Sequence, residues 1–364
     1  MNFDLDEDQS LLKSAVERFA RDRYGGDIAR RRGYRMTATG FSPENWAALA
    51  DLGLLALPFA TADGGLGGGA IELIAVFEAL GRGLVVEPLL DSIIVAGGLL
   101  DRAGTDAQRA AWLPGIIAGT KRLALAHAET AARYNLAHVE TRAATSGDSV
   151  RLSGVKTFVL AAAGADALIV SATEAGTVSF YLVPVDTPGL SIQPFRVVDG
   201  SIGAEVALRD VCVPASARLR HGLDALDTIV AQAALAASAE MLGLMTLLLD
   251  TTLDYVNTRQ QFGTPLGKFQ VIQHRLADAY MGIENARSAL YRAAIAAPDP
   301  RAAAGAKALI SEAAITVGHT AIQLHGGMGM TDELLIGHAH KRIMLLAHHF
   351  GDARATLDRY LDAA

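Results

Sequence analysis

The chain has 364 residues, 51% hydrophobic and 20% charged, a balance that excludes a disordered segment and a length that exceeds one ordinary core. A formal net charge of −7 excludes a broad basic surface for nucleic acid, and the acidic start Met1–Asp8 lacks the basic region and apolar run of a signal peptide. The single cysteine, Cys212, leaves no internal disulfide and no cysteine-based zinc site, and no apolar run approaches the roughly 20 residues that span a bilayer, so a cytoplasmic protein without a membrane segment is expected.

Residues 4–22 repeat apolar positions at helical spacing (Leu5, Leu11, Leu12, Ala15, Phe19, Ala20). Further helices are predicted from Pro43 to Leu52, ending at Gly53, from Glu72 to Leu80, ending at Gly81, and over Ile93–Ala103 and Ala107–Ile117. Short Val-, Leu-, Ile- and Thr-rich runs follow, at nearly hairpin spacing: Leu123–His127, His138–Ala143, Ser149–Leu152, Thr157–Leu160, Ala167–Ser171, Thr177–Val183, Ser191–Val197 and Ala204–Val211. They predict a small barrel or sandwich. From Leu223 onward the pattern is helical again, over 224–258, 267–296, 301–325 and 332–362, as in a four-helix bundle. Domains are therefore expected at 1–120, 121–215 and 216–364.

Three suggestive patterns do not carry chemistry. Asp63-Gly64-Gly65-Leu66-Gly67 precedes a helix but lacks the βαβ setting of a dinucleotide loop, and reads as a flexible turn. Gly263-Thr264-Pro265-Leu266-Gly267-Lys268 is too short for a P-loop and has no Ser or Thr after the lysine. His338, His340, His348 and His349 have no acidic or thiol partner at ligand spacing, so no metal is expected. They read as solvated histidines or as supports for other groups.

Two segments remain. Arg259-Gln260-Gln261-Phe262-Gly263-Thr264-Pro265-Leu266-Gly267-Lys268-Phe269-Gln270 joins the first two bundle helices, and Gln323-Leu324-His325-Gly326-Gly327-Met328-Gly329-Met330 follows the third. An arginine beside an aromatic offers a fork for a diphosphate and a face for a ring, and glycines leave backbone N–H groups open to an acceptor. Either segment alone reads as a capped helix turn. Together, in this order, they resemble the acyl-CoA dehydrogenase family. The likeness extends to Gly53-Leu54-Leu55 and Phe77-Glu78-Ala79-Leu80-Gly81-Arg82 in the amino-terminal helices. It continues in Trp112-Leu113-Pro114, Leu152-Ser153-Gly154-Val155-Lys156-Thr157-Phe158 and Asp210-Val211-Cys212-Val213-Pro214 around the strands.

The resemblance implies that family's fold: an α-helical N-terminal domain, a central β-barrel domain and a C-terminal four-helix bundle. It also implies FAD, held across a subunit boundary by Arg259, Phe262, Gln270, Gln323, Gly326 and Gly327, in a dimer or larger assembly. The implied activity is α,β-dehydrogenation of an acyl-CoA to the trans-2-enoyl-CoA, with electrons passed to an electron-transfer flavoprotein or similar acceptor.

The chain departs from the family where the proton is removed. The usual glutamate position reads Phe350-Gly351-Asp352, and the second known location falls on Ala233, beside Ala234. Asp352 stands either as a displaced base or as a helix N-cap. The Gly-Ser pair after the first strand is replaced by Ala128-Glu129-Thr130-Ala131-Ala132-Arg133-Tyr134, and the ring-side positions are Phe158-Val159-Leu160, without hydroxyls. A sound cross-subunit grip beside a weakened site of its own is similar to the small subunits of heteromeric members, such as those acting on pimeloyl-CoA or on CoA esters of steroid side chains. The alternatives are a homo-oligomer, a catalytically degenerate flavin-binding partner, and another flavin chemistry such as nitroalkane oxidation.

Overall fold

The computed structural model describes residues 5–362, so residue 4 of the first predicted helix and the last two of the chain lie outside the described residues. The chain divides into two compact units.

The first unit comprises residues 1–33, 69–85 and 234–364. Helix α1 (Glu7–Arg23) opens on a capping box, with Asp6 and Gln9 satisfying each other's backbone N–H groups. It packs on α4 (Ala70–Arg82), a helix buried along most of its length. Where α4 meets the long helix α7 (Leu223–Thr258), small residues bring the two backbones together. A Cβ on Gly81 would lie 2.2 Å from the Glu240 carbonyl oxygen, and one on Gly243 would lie 2.0 Å from that of Glu78. Alanine at either position forces the helices apart. The remaining helices are α8 (Gln270–Ala296), α9 (Pro300–His325), α10 (Leu335–His348) and α11 (Ala353–Asp362). Glu78 accepts from Lys13 at 3.0 Å and Arg287 at 2.7 Å, and Arg342 Nε donates to Glu240 at 2.6 Å. The first two contacts tie α1 and α8 to α4, and the third ties α10 to α7.

The second unit comprises residues 34–68 and 86–233. It holds α3 (Pro43–Asp51), a nine-residue π-helix Leu89–Gly97 that runs into α5 (Gly98–Ala103), then α6 (Asp106–Ile117) and one seven-stranded sheet. The strands are β1 (Leu123–Ala126), β2 (Arg142–Ser146), β3 (Ser149–Lys156), β4 (Ala167–Glu174), β5 (Thr177–Pro184), β6 (Leu190–Arg196) and β7 (Ile202–Pro214). One edge of β4 pairs antiparallel with β5, and its other edge is shared in sequence by β1 and β2, both parallel. The sheet continues β2-β3-β7-β6, all antiparallel. Leu152, Val170, Tyr181, Val206 and Val213 form its core.

Several expectations need correction. A helix α2 (Ile28–Met36) was not anticipated, because its sequence carries arginines where an apolar stripe would signal it. The stretch read as one helix over 332–362 is two helices, broken at residues 349–352 where Phe350 and Gly351 take φ 63° and 112°. Thr157–Leu160 is no regular strand, since Phe158 (φ 53°) interrupts the extended chain; Val159 still exchanges both backbone hydrogen bonds with Ala204 at 3.0 Å. Helix α7 is long and apolar enough to cross a membrane, contrary to the reading of the runs alone, but most of that stretch is buried within the protein.

Candidate cofactor site and the loop at the base position

The last turn of α7 closes with Arg259 N–H donating to the Tyr255 carbonyl at 2.8 Å. A two-residue hairpin follows, β8 (Gln260–Gln261) paired with β9 (Thr264–Pro265). Its turn residues, Phe262 and Gly263, both have positive φ, 55° and 78°, as a two-residue hairpin of primed type demands. Glycine meets that demand freely. Phenylalanine does not, and Phe262 is also 92% exposed, so its ring gains nothing from burial within this chain. Among the described residues its ring neighbour is Phe269, edge-on at 6.2 Å, immediately before Gln270 opens α8. Phe262 is thus both strained and exposed at the tip of the hairpin.

The second segment ends α9. Gly326 lies at φ 60°, ψ −142°, a region open in practice to glycine alone. Gly327 has no such conformational need, and a Cβ there would meet nothing within 4 Å. Neither packing nor backbone accounts for a glycine at 327. A backbone left open in this way has room for the close approach of a dinucleotide, which is compatible with the expected role.

The two segments converge. Tyr255, one turn before Arg259, stacks on His325, which directly precedes Gly326; the ring centroids are 4.3 Å apart and the planes 23° from parallel. His325 Nδ1 donates to the Ala321 carbonyl at 2.9 Å, and burial lowers the affinity of the ring for a second proton. The stack fixes Arg259 on one side and Gln323, Gly326 and Gly327 on the other, all exposed. Tyr255 is not among the residues expected from the sequence; its signal is an aromatic one helical turn before the arginine.

At the base position the structure favours the capping role. Asp352 Oδ1 accepts from the Ala355 N–H at 2.8 Å and its carbonyl from Thr356, so its carboxylate starts α11. Behind the loop, fully buried Lys307 donates to Ser311 Oγ at 3.1 Å and to the carbonyls of Ala347 and Gly351 at 3.2 and 3.3 Å. Burial pushes this lysine down to about 7, against the opposing pull of Asp352. Ala233 and Ala234 are buried and offer no proton acceptor.

In the second unit, the segment after β1 is held by a buried polar cluster. Lys156 Nζ, on β3, donates to Glu129 at 2.6 Å and to Ser171 Oγ at 2.8 Å, and Glu129 also accepts from the N–H groups of Glu140 and Thr141 and from the Thr141 hydroxyl. Burial works against the Glu129 charge, but these donors outweigh it and hold the carboxyl at about 2. Burial draws Lys156 down to about 8, so both partners are charged at neutral pH. His127, buried beside this ammonium, falls to about 4 and stands neutral with Nδ1 at 3.0 Å from Ser171 Oγ. The cluster fixes where residues 127–141 run. It supplies no accessible nucleophile.

Among the described residues no three His, Cys, Asp or Glu side chains gather as a metal site. His338 uses both ring nitrogens within the protein, and His340 packs on Gly318.

Residues 6–120, 124–211 and 220–358 match the models of the acyl-CoA dehydrogenase N-terminal, middle and C-terminal domains. The chain is 31% identical to the probable acyl-CoA dehydrogenase YngJ of Bacillus subtilis, over 92% of this chain and 91% of that one. Among solved structures it is similar to a variant of the Tcur3481-Tcur3483 steroid ACAD (32% identity, TM-score 0.88, covering 98% and 97% of the two chains). It is also similar to the ChsE4-ChsE5 complex from Mycobacterium tuberculosis (28% identity, TM-score 0.91, covering 100% and 98%).

Proposed function

Since the chain belongs to the acyl-CoA dehydrogenase family, oxidoreductases acting on acyl-CoA, we propose that it is one subunit of a heteromeric enzyme that oxidises an acyl-CoA to the trans-2-enoyl-CoA. The observation that carries this reading is the contrast between the two parts of the site. Arg259, Phe262, Gln270, Gln323, Gly326 and Gly327 are all exposed, whereas the base position holds Phe350 and the nearby Asp352 caps a helix.

In this reading these residues would hold FAD together with a neighbouring subunit, and the cofactor when bound would supply the hydride acceptor. Arg259 sets its charge against the diphosphate, and the open Gly326-Gly327 backbone admits it closely. Phe262 presents its ring face. The neighbouring subunit, an unlike chain, supplies the carboxylate that takes the α-proton, and an electron-transfer flavoprotein or similar acceptor removes the electrons. Two relatives named as pairs, Tcur3481-Tcur3483 and ChsE4-ChsE5, support the unlike partner. The steroid ACAD makes a CoA ester of a steroid side chain the first substrate to try.

The displaced-base reading, which would admit nitroalkane-type chemistry, turns on Asp352. Asparagine caps a helix about as well as aspartate but takes no proton. In the assembled enzyme, anaerobic stopped-flow with acyl-CoA is expected to give flavin reduction by the Asp352→Asn variant within twofold of the parent. A loss of roughly a hundredfold or more, the size of a missing general base, would make Asp352 that base and remove the need for a partner's. Bleaching by a nitroalkane and not by acyl-CoA would replace the proposed chemistry altogether.

A further inference from the structure

The glycine turn 326–330 is followed by Thr331–Leu334 and then α10, and what holds that segment is a histidine the cofactor surface does not contain. His338 is buried on the first turns of α10. Its Nδ1 lies 3.2 Å from Arg31 Nη1 and its Nε2 lies 3.0 Å from the Asp332 carbonyl oxygen. A guanidinium only donates and a carbonyl only accepts, so one tautomer satisfies both: Nδ1 bare, Nε2 protonated. The neutral ring thereby connects α2, through buried Arg31, to the backbone directly after the glycine turn. Arg31 is itself fixed by Nε donating to the Leu84 carbonyl at 3.1 Å.

A second proton removes the acceptor that Arg31 uses and sets two cations face to face. The charged groups around the ring are Arg31 from α2, Lys341 from α10 itself and Asp332 from the segment. Asp332 favours the protonated ring twice, through the carbonyl that accepts from Nε2 and through Oδ1 at 3.6 Å, but burial outweighs both, and this carboxylate is shared with Arg32 and Lys341 at 3.5 Å each and lies half in solvent. Attraction from such a shared, exposed carboxylate is weak against a direct donor–donor clash in a buried site.

We propose that His338 is a positioning residue for the glycine turn: while neutral it holds residues 331–334 and so the Gly326-Gly327 surface, and its protonation releases that surface and any dinucleotide diphosphate lying on it. Only the second half rests on the proposed function. Burial and Arg31 set the proton affinity of the ring below its ordinary value. For a base so depressed, the ordered state is complete above pH of about 6.5 and is lost as pH falls below it.

The test is hydrogen exchange of the peptide 326–335 between pH 7.5 and 5, each rate divided by its intrinsic chemical rate, with FAD release followed by fluorescence in the same assembled sample. The expected result is at least a tenfold rise in normalised exchange at the acid end, with loss of FAD affinity over the same range. His338→Gln, which offers one acceptor and one donor and takes no proton, is expected to abolish both changes. Asp332→Asn, an exposed change that leaves the fold alone, is expected to move the midpoint to lower pH. Exchange that is flat with pH in the parent, or equally pH-dependent in His338→Gln, overturns the proposal. If no FAD binds at any pH the proposed function fails, and exchange of 326–335 still decides the role of His338.

Discussion

Replacing Arg259 by alanine is expected to lower the FAD affinity of the assembled protein by about two orders of magnitude, with its fold intact. Arg259 is exposed at the end of α7, and its backbone, not its side chain, closes the last helical turn and bonds Leu266 N–H at 2.9 Å. Removal of the guanidinium therefore leaves the hairpin in place. On the proposed reading, what would be lost is a charge-assisted contact to a diphosphate, worth about 1.5–3 kcal/mol, or roughly ten- to two-hundredfold in binding. Phe262→Ala removes a ring at a strained position, so it is expected to weaken binding without destabilising the chain. Dissociation constants from flavin fluorescence, read beside thermal unfolding, check both. An affinity unchanged by Arg259→Ala would detach this surface from the cofactor.

A comparable effect, on stability this time, is expected in the second unit. Lys156→Met leaves Glu129 charged and buried, and breaking a buried pair in this way costs about 3–5 kcal/mol, on the order of 10 °C in Tm. Changing both partners together, Lys156→Met with Glu129→Gln, removes the orphaned charge, and most of the loss is expected to return. Differential scanning calorimetry of the single and double variants measures the coupling. Purely additive losses would mean that the pair is incidental to the run of residues 127–141.

Much of this was legible in the residues because the signals were local. The helical and strand periods gave the order helix, strand, helix, and the two segments at 259–270 and 323–330 stood out by their unusual pairing of arginine, aromatic and glycines. What was not legible depended on partners far away in sequence. Helix α2 buries two arginines, Arg31 and Arg35, and no apolar stripe announces it. The glutamate after β1 looked like a departure from the usual loop; only the fold shows it meeting Lys156, 27 residues later. His338 read as a solvated or supporting histidine, and its partner Arg31 is 307 residues away. The break at 349–352 was hidden because Phe350 is an ordinary helix residue that the fold places at φ 63°. For Asp352, sequence left base and cap both open, and the hydrogen bond to Ala355 N–H is what weighs toward the cap.

The central claim is that this chain grips a flavin across a protein–protein boundary but relies on an unlike neighbour for the base. It is tested most directly by anaerobic titration with acyl-CoA of the chain purified alone and of the chain purified with the polypeptide that accompanies it from its native source. The expected result is bleaching of one flavin per pair of unlike chains in the complex, and none in the chain alone. A single chain type that carries full FAD and is bleached stoichiometrically would contradict it.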